Sequence, residues 1–227
     1  MSFAYRIVAP FAYGATRAVR NCTIALLCLA SAAMAQPITI VALGDSLTAG
    51  LGLPQDQGLV PQLQAWLVAQ GQDVVLQNAG VSGDTTAGGL SRLDWALGPD
   101  ADALIVTLGG NDMLRGLDPA EAKANLDAIL AGAQARNLPV LLVGLKAPSN
   151  YGPEYKAAFD AMYPALAAKY GAGLVDCFFA PIFTDASQNL NPALMQADGI
   201  HPNAKGVARI VEGITPLVEG ALKVTAN

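Results

Sequence analysis

Short apolar runs alternate along the chain with longer segments in which apolar residues recur every three or four positions. Runs that are apolar almost throughout predict strands buried on both faces, as in a parallel sheet covered by helices. Such strands are predicted at residues 38–43, 73–77, 103–108, 139–145 and 173–175. Helices are predicted between and after them, at residues 59–70, 85–97, 119–136, 153–170 and 204–223. This order predicts an α/β fold, a three-layer α/β/α sandwich with about five parallel strands joined by right-handed crossovers.

The first 35 residues have the pattern of a secretory signal peptide. They contain no acidic residue and three arginines, Arg6, Arg17 and Arg20. An apolar run follows at residues 23–30, and an Ala-x-Ala sequence ends at Ala35. A basic start, a short apolar centre and a small-residue exit are typical of signal peptides, and this run is shorter than the ~20 residues that span a membrane. An uncleaved amphipathic or membrane-anchoring helix is the alternative.

Cleavage after Ala35 would leave residues 36–227 as one domain with a sizeable core. We expect this mature chain to be periplasmic or secreted, without a stable membrane anchor. Cys177 is then the remaining cysteine, because Cys22 and Cys28 leave with the signal peptide, and no intramolecular disulfide can form. The apolar neighbours of Cys177 favour a buried structural thiol over a reactive one.

Composition narrows the classes of partner. The chain is 53% hydrophobic and 14% charged, which indicates a globular protein. Its formal net charge of -5 gives no basic footprint for nucleic acid and disfavours adhesion to anionic membranes. Small or neutral molecules are the partners that this charge favours. No pattern in the sequence indicates an oligomeric state.

Polar, glycine-rich segments follow the predicted strands. They are residues 44–48, 78–85 and 109–112, together with a later loop at 198–202. Because the carboxyl ends of parallel strands share one edge of the sheet, we expect these segments to lie close together. Ligands bind at this edge in open α/β sheets, so the sequence predicts the functional site there.

The chain contains one histidine, His201, which is therefore the only imidazole available as a general base. Asp198 lies three residues before it, and Gly199 allows the backbone to bend between the two. A carboxylate this close can hold one tautomer of the imidazole and stabilise the imidazolium. A solvated loop histidine beside a helix N-terminus is the alternative interpretation.

Ser46 follows the first predicted strand and is the candidate nucleophile, because a serine hydroxyl becomes reactive when a base removes its proton. Acyl transfer also needs donors for the developing oxyanion, which the N–H groups of Ser46 and Gly83 and the amide of Asn111 can supply. Structural roles are the alternative interpretations: a helix cap for Ser46 or Asp45, a tight turn for Gly83, and a turn or cap for Asn111. No Gly-x-Ser-x-Gly segment occurs, which disfavours an ordinary α/β-hydrolase site.

Four separated segments resemble the motifs of the GDSL, or SGNH, hydrolase family. They are Gly44-Asp45-Ser46-Leu47, the residues around Gly83, Gly109-Gly110-Asn111-Asp112 and Asp198-Gly199-Ile200-His201-Pro202. The resemblance covers nearly all of the mature chain and implies the flavodoxin-like SGNH hydrolase fold for residues 36–227. It implies Ser46 as nucleophile, with Asp198 and His201 as the orienting acid and the base. It also implies Ser46, Gly83 and Asn111 as the oxyanion hole.

Three further segments are similar to the bacterial periplasmic branch of multifunctional esterases, thioesterases and lysophospholipases. They are residues 111–116, 147–152 and 163–164. The resemblance implies a serine ester hydrolase that cleaves acyl and aryl esters and thioesters, extending to lysophospholipids, through an acyl-enzyme on Ser46. It implies small-molecule substrates and no cofactor. The one histidine and one cysteine of residues 36–227 are also too few for a usual zinc site.

Other functions of the same fold are a carbohydrate acetylesterase and an acyltransferase. A non-enzymatic binding protein is disfavoured, because it would not need Ser46, Asn111 and His201 together. Apolar residues near the predicted site are candidates for contact with the acyl group: Leu47, Met113, Leu114, Pro148 and Tyr151. Packing in the core or within a loop is the alternative for each of them. We expect the segment 146–153, which contains proline and glycine, to move over a bound substrate.

Overall fold

The computed structural model describes residues 36–225, so the predicted signal peptide at residues 1–35 lies outside the described residues. Five strands form one sheet within that range: β1 (Ile38–Gly44), β2 (Val74–Gly80), β3 (Ala103–Thr107), β4 (Val140–Val143) and β5 (Gly173–Val175). Their order is β2-β1-β3-β4-β5, and every neighbouring pair is parallel. The predicted α/β sheet of five parallel strands is confirmed.

The central strands are buried on both faces, as their apolar sequences predict. All residues of β3 and β4 are buried, and so is most of β1. β2 departs from this pattern because it lies at the edge of the sheet and pairs only with β1. Val74 and Leu76 are buried, whereas Val75 and Gln77 are exposed. The prediction of burial on both faces is therefore wrong for β2, whose alternation is that of a strand with one solvated face.

Helices cover both faces of the sheet. Within residues 36–225 they are α1 (Ser46–Ala49), α2 (Leu59–Ala69), α3 (Thr86–Ser91), α4 (Leu93–Leu97), α5 (Gly110–Leu114), α6 (Pro119–Ala135), α7 (Pro153–Tyr170) and α8 (Ala204–Thr225). The chain runs one way across the sheet from β1 to β2 and the other way from there to β5. Because parallel connections are right-handed, α2 lies on one face and α6 and α7 on the other. α8 packs against α2, and α6 packs against α7 and α3, which completes the three layers.

The predicted helix at residues 85–97 is in fact two helices, α3 and α4, which meet at Arg92. The prediction of one helix is wrong because the backbone leaves the helical conformation at Arg92, with a φ of -116° and a ψ of 9°. Gly88 and Gly89, which are weak helix formers, lie inside α3. Gly89 serves packing: a Cβ atom there would lie 2.3 Å from the Leu108 side chain. None of the helices in residues 36–225 is both long enough and apolar enough to cross a membrane.

The strand order changes direction between β1 and β3, and their connections leave on opposite faces of the sheet. In doubly wound sheets this point opens a crevice beyond the carboxyl ends of the strands. α1 begins there with Ser46, and α5 carries Asn111 there. Neither helix is predicted from the sequence, because helices of four or five residues are not stable by themselves. The fold thus places two of the motif segments side by side.

Candidate active site

Ser46 and His201 are in contact at this crevice, although 155 residues separate them along the chain. The Nε2 atom of His201 lies 2.8 Å from the Oγ atom of Ser46. The Nδ1 atom of the same ring lies 2.7 Å from the Oδ2 atom of Asp198. Hydroxyl, imidazole and carboxylate are therefore aligned in the order that a serine nucleophile, its base and an orienting acid require.

The loop that carries Asp198 holds the carboxylate through its own backbone. The Oδ1 atom accepts hydrogen bonds from the N–H groups of Ile200 at 2.9 Å and His201 at 3.0 Å. Gly199, which lies between Asp198 and Ile200, has a φ of 69°, in the left-handed region that favours glycine. The hydrogen bonds from the backbone and ring of His201 and from the backbone of Ile200 lower the pKa of Asp198 to about 2. Asp198 is therefore ionised wherever an imidazole titrates, and it selects the tautomer with the proton on Nδ1.

Asn111 and Gly83 are the other candidates for an oxyanion hole, and they meet at Asp84, which directly follows Gly83. The Nδ2 atom of Asn111 donates a hydrogen bond to the Asp84 carbonyl oxygen at 3.0 Å. Gly83 belongs to a tight turn with a φ of 89°, and Arg115 donates to its carbonyl oxygen at 2.8 Å. Within residues 36–225, the N–H groups of Ser46 and Gly83 donate to no protein acceptor. The turn interpretation for Gly83 and the donor interpretation are thus compatible.

Asp45 is the N-cap of α1, since its Oδ1 atom accepts a hydrogen bond from the Leu47 N–H at 3.0 Å. Its Oδ2 atom lies 3.4 Å from Asn111 Nδ2. The residue is only 2% exposed, and burial raises the pKa of this carboxyl to about 6. The cap that the sequence allowed for Ser46 or Asp45 is formed by Asp45. Ser46 is therefore the first residue of a capped helix, with its hydroxyl next to His201.

A cavity of about 690 Å³ opens in front of Ser46 and His201. Four of the predicted substrate residues line it: Leu47, Met113, Leu114 and Pro148. Tyr151 does not line it. The Tyr151 hydroxyl donates to the Leu114 carbonyl oxygen at 3.2 Å, and the ring lies against Gly116. Tyr151 therefore packs within a loop, which was the alternative for it.

Part of the cavity lining was not predicted from the sequence. It comes from the chain after β5 and includes the apolar residues Cys177, Phe179, Phe183 and Leu190 and the polar residues Ser187, Gln188 and Asn189. This segment carries none of the motifs, and only the folded chain brings it to the cavity of Ser46. Cys177 is buried, as its neighbours predict, and burial raises the pKa of its thiol.

Two polar positioning contacts also escaped sequence analysis. Gln196 donates through Nε2 to the Leu51 carbonyl oxygen at 2.9 Å, and its N–H donates to the His201 carbonyl oxygen at 2.8 Å. Gln196 thereby joins the loop at residues 198–202, which carries His201, to the segment after α1. Arg92 forms an ion pair of 2.6 Å with Asp84, next to Gly83. In the described part of the chain, no cluster of three or more histidine, cysteine or acidic residues could hold a metal ion.

A serine hydroxyl, an imidazole and a carboxylate aligned at the switch point of a flavodoxin-like sheet are the arrangement found in serine hydrolases. Residues 42–209 match the GDSL-like Lipase/Acylhydrolase family, and the chain belongs to this family. It is 42% identical over 88% of its length to Esterase TesA of Pseudomonas aeruginosa, of which it covers 96%. It is 38% identical to the Escherichia coli Thioesterase 1/protease 1/lysophospholipase L1, over 73% of this chain and 76% of that protein.

Solved structures agree with these relatives. A crystal structure of TesA superposes with a TM-score of 0.74 at 40% identity, over 81% of this chain and 99% of that one. The SGNH-hydrolase family esterase AlinE4 superposes with a TM-score of 0.68 at 44% identity, over 84% and 99%. The three-layer fold and the family resemblance are thus confirmed. The chain is a carboxylic ester hydrolase of the serine type.

Proposed function

We propose that Ser46 is the nucleophile of this ester hydrolase, that His201 is its general base and that Asp198 orients the imidazole. The observation that carries this assignment is the 2.8 Å contact between Ser46 Oγ and His201 Nε2. The ionised Asp198 on the other ring nitrogen leaves Nε2 free of a proton and able to accept one. His201 is the chain's only histidine, so no second imidazole competes for this role.

The reaction begins when His201 Nε2 takes the proton of Ser46 as Oγ attacks the acyl carbonyl carbon. Negative charge develops on the carbonyl oxygen and is met by the Ser46 N–H, the Gly83 N–H and Asn111 Nδ2. The tetrahedral intermediate collapses by breaking the bond to the alcohol or thiol, which leaves with the proton from His201. Water, deprotonated by the same imidazole, then attacks the acyl-enzyme and releases the acid.

The cavity supports acyl and aryl esters and thioesters, including lysophospholipids, as the small-molecule substrates. Its lining is mainly apolar and includes Leu47, Met113, Phe179 and Phe183. Such walls stabilise an acyl chain by removing it from water, at about 0.8 kcal/mol per methylene. Acetate of an acetylated sugar offers little such surface, so the cavity disfavours a carbohydrate acetylesterase. Comparing acetate release from acetylated sugars with hydrolysis of longer acyl esters separates the two.

We further propose that residues 1–35 are a cleaved signal peptide and that the mature chain is periplasmic or secreted. Three arginines, an apolar run and the Ala-x-Ala exit before Gln36 support this proposal. N-terminal sequencing of the protein from the periplasm or medium of an expressing bacterium should give Gln36 as the first residue. An intact N-terminus on a membrane-bound protein would favour the anchoring helix instead.

Hydrolysis of a p-nitrophenyl ester by Ser46→Ala tests the catalytic assignment. We expect kcat to fall by at least ~10³-fold, because no other group supplies the nucleophile, with similar losses for His201→Ala. Ser91→Ala is the matched control, since the Ser91 hydroxyl donates only to a carbonyl oxygen on the exposed side of α3. A serine-directed organophosphonate should label the parent and Ser91→Ala but not Ser46→Ala. Full activity in Ser46→Ala would refute the mechanism.

A further inference from the structure

Arg92 joins three parts of the chain that converge on the active site. Its Nε atom donates to Asp84 Oδ2 at 2.6 Å. Its Nη1 atom donates to the Ala79 carbonyl oxygen at 2.7 Å, and its Nη2 atom to the Gly44 carbonyl oxygen at 2.9 Å. Asp84 directly follows Gly83, Ala79 lies at the end of β2, and Gly44 lies at the end of β1. The planar guanidinium thus uses all three of its nitrogens on backbone and carboxylate oxygens around one site.

The first connection runs from Arg92 to Asn111 through Asp84. The Arg92 guanidinium fixes the Asp84 side chain, and the Asp84 carbonyl oxygen accepts a hydrogen bond from Asn111 Nδ2 at 3.0 Å. That bond occupies one amide hydrogen of Asn111. The second hydrogen faces Asp45 Oδ2 at 3.4 Å, a longer contact that Asn111 would exchange for the oxyanion. The direction in which Asn111 donates therefore depends on where Asp84 is held.

The second connection runs to Gly83 and Ser46 through the strand ends. The Gly44 carbonyl oxygen accepts from Arg92 and also from the Val81 N–H at 3.0 Å, which fixes the turn leading to Gly83. The Asp84 N–H closes that turn on the Val81 carbonyl oxygen at 3.1 Å. Gly44 itself lies two residues before Ser46. Arg92 therefore bonds to groups within one or two residues of both backbone donors.

The ion pair is well shielded from water. The Arg92 side chain is 15% exposed and that of Asp84 is 18% exposed. An exposed ion pair contributes little, whereas a shielded arginine with every nitrogen bonded fixes its partners in place. Lysine could not replace it fully, because a single ammonium cannot address three acceptors in one plane.

We propose that Arg92 is the positioning residue of the oxyanion hole, setting the relative placement of the Ser46, Gly83 and Asn111 donors. The inference rests on the proposed function, in which these three groups stabilise the oxyanion. Arg92 touches no reacting atom. It acts by holding the donors at the distances that the tetrahedral intermediate needs, so its loss affects the transition state more than the bound substrate.

Kinetics of Arg92→Met and Arg92→Lys with a p-nitrophenyl ester test this role. We expect Arg92→Met to lower kcat by about 10²-fold, the effect of losing one oxyanion donor, while KM changes by less than about threefold. The kcat of Arg92→Lys should lie between those of the parent and Arg92→Met. The inhibition constant of an alkyl trifluoromethyl ketone, which forms a tetrahedral adduct with the nucleophile, should rise by a factor similar to the loss in kcat/KM. If Arg92 only supported the fold, its loss would not weaken binding of this inhibitor while leaving KM nearly unchanged.

Arg136→Met is the matched control. Arg136 also pairs with an aspartate, Asp94, at 2.8 Å and donates to the Gly98 carbonyl oxygen, but these contacts are exposed and their residues do not line the cavity. We expect it to leave kcat and the inhibition constant unchanged. Thermal midpoints of all variants identify any that fail to fold. Arg92→Lys keeps the charge and most of the buried stem, and it carries the test if Arg92→Met is unfolded.

A double variant shows whether Arg92 acts through the donors. In an Asn111→Ala background, adding Arg92→Met should lower kcat by less than about tenfold, because one of the donors that Arg92 positions is already absent. A further loss of the full 10²-fold, or unchanged kcat in folded Arg92→Met, would overturn the inference. Ser46→Ala separates the two proposals: if it is inactive while Arg92→Met is fully active, only the role of Arg92 is refuted.

Discussion

Asp45 and Asp198 are two carboxylates near the same hydroxyl whose surroundings differ. Asp45 is buried, and burial raises its pKa to about 6. Asp198 is 43% exposed, and hydrogen bonds from the His201 backbone and ring lower its pKa to about 2. Burial disfavours the charged form, whereas N–H donors favour it. The two groups therefore titrate in separate pH ranges, and only Asp198 is suited to hold a permanent negative charge beside His201.

Asp45→Asn should change how stability depends on pH. A carboxyl whose pKa is raised from 3.8 to about 6 on folding contributes stability that is complete below pH 3.8 and lost as the pH rises through about 6. Asparagine does not titrate and can still accept a hydrogen bond from the Leu47 N–H. Relative to the parent, the variant should therefore gain about 2–3 kcal/mol in free energy of unfolding between about pH 4 and pH 8. Urea unfolding at both pH values measures this difference.

Asp185→Asn is the control for that experiment. Hydrogen bonds from the Ser187 backbone and the Asn189 side chain lower the pKa of Asp185, an exposed carboxylate that does not pair with His201. The stability that this lowered pKa contributes is present above pH 3.8 and is lost only as the pH falls below that value, outside the measured range. The stability of Asp185→Asn relative to the parent should therefore be the same at both pH values. Parallel behaviour of Asp45→Asn and Asp185→Asn would contradict the effect of burial on Asp45.

At the scale of elements, the sequence predicts those helices and strands whose pattern and boundaries lie within their own residues. The bounds of α7 and β5 agree with the prediction, since each combines a clear periodicity with a glycine or proline boundary. α1 and α5 could not be predicted, because their stability comes from capping and packing by distant residues. The motif segments identified Ser46 and His201, but Arg92 carries no local signal: its role follows from acceptors on three separate segments.

Tyr163→Phe tests how α7 supports the segment before α5. The buried Tyr163 hydroxyl donates to the Leu108 carbonyl oxygen at 3.0 Å, and burial raises the pKa of this phenol well above its ordinary value. Removing the hydroxyl leaves a buried carbonyl without this donor, which costs about 1–3 kcal/mol in free energy of unfolding. Urea unfolding measures the loss.

Tyr155→Phe provides the comparison on the same helix. Within residues 36–225, the buried hydroxyl of Tyr155 has no hydrogen-bond partner. Its removal should leave stability unchanged or slightly raised, because no bond is lost and a buried polar atom disappears. Equal losses in Tyr155→Phe and Tyr163→Phe would show that the bond to Leu108 is not what anchors α7.

At the scale of the whole molecule, the cavity is assembled from remote parts of the chain. One part of its lining comes from residues that follow β1, β3 and β4, and another from the segment between β5 and the loop at residues 198–202. The sequence identified some residues of the first part because they adjoin the motifs. The second part could not be predicted, because only the course of the backbone around the end of the sheet brings it to the cavity.

Met113→Ala and Tyr151→Ala should separate the cavity from its surroundings. Met113 lines the cavity, so its truncation should alter the relative kcat/KM values for p-nitrophenyl esters of increasing acyl length by about tenfold. Tyr151 packs against Gly116 outside the cavity, and its truncation should leave that profile unchanged. An unchanged profile in Met113→Ala, or a changed one in Tyr151→Ala, would contradict this assignment of the cavity.

The distance along the chain between Ser46 and His201 has a consequence for when the enzyme becomes active. Their contact closes a loop of 155 residues, and such long-range contacts are costly to form before the rest of the fold is in place. During synthesis, Ser46 leaves the ribosome well before His201 has been added to the chain. With Ser46 and His201 in their proposed roles, the growing chain has no ester hydrolase activity, and hydrolysis begins only when the topology that joins the two residues has formed.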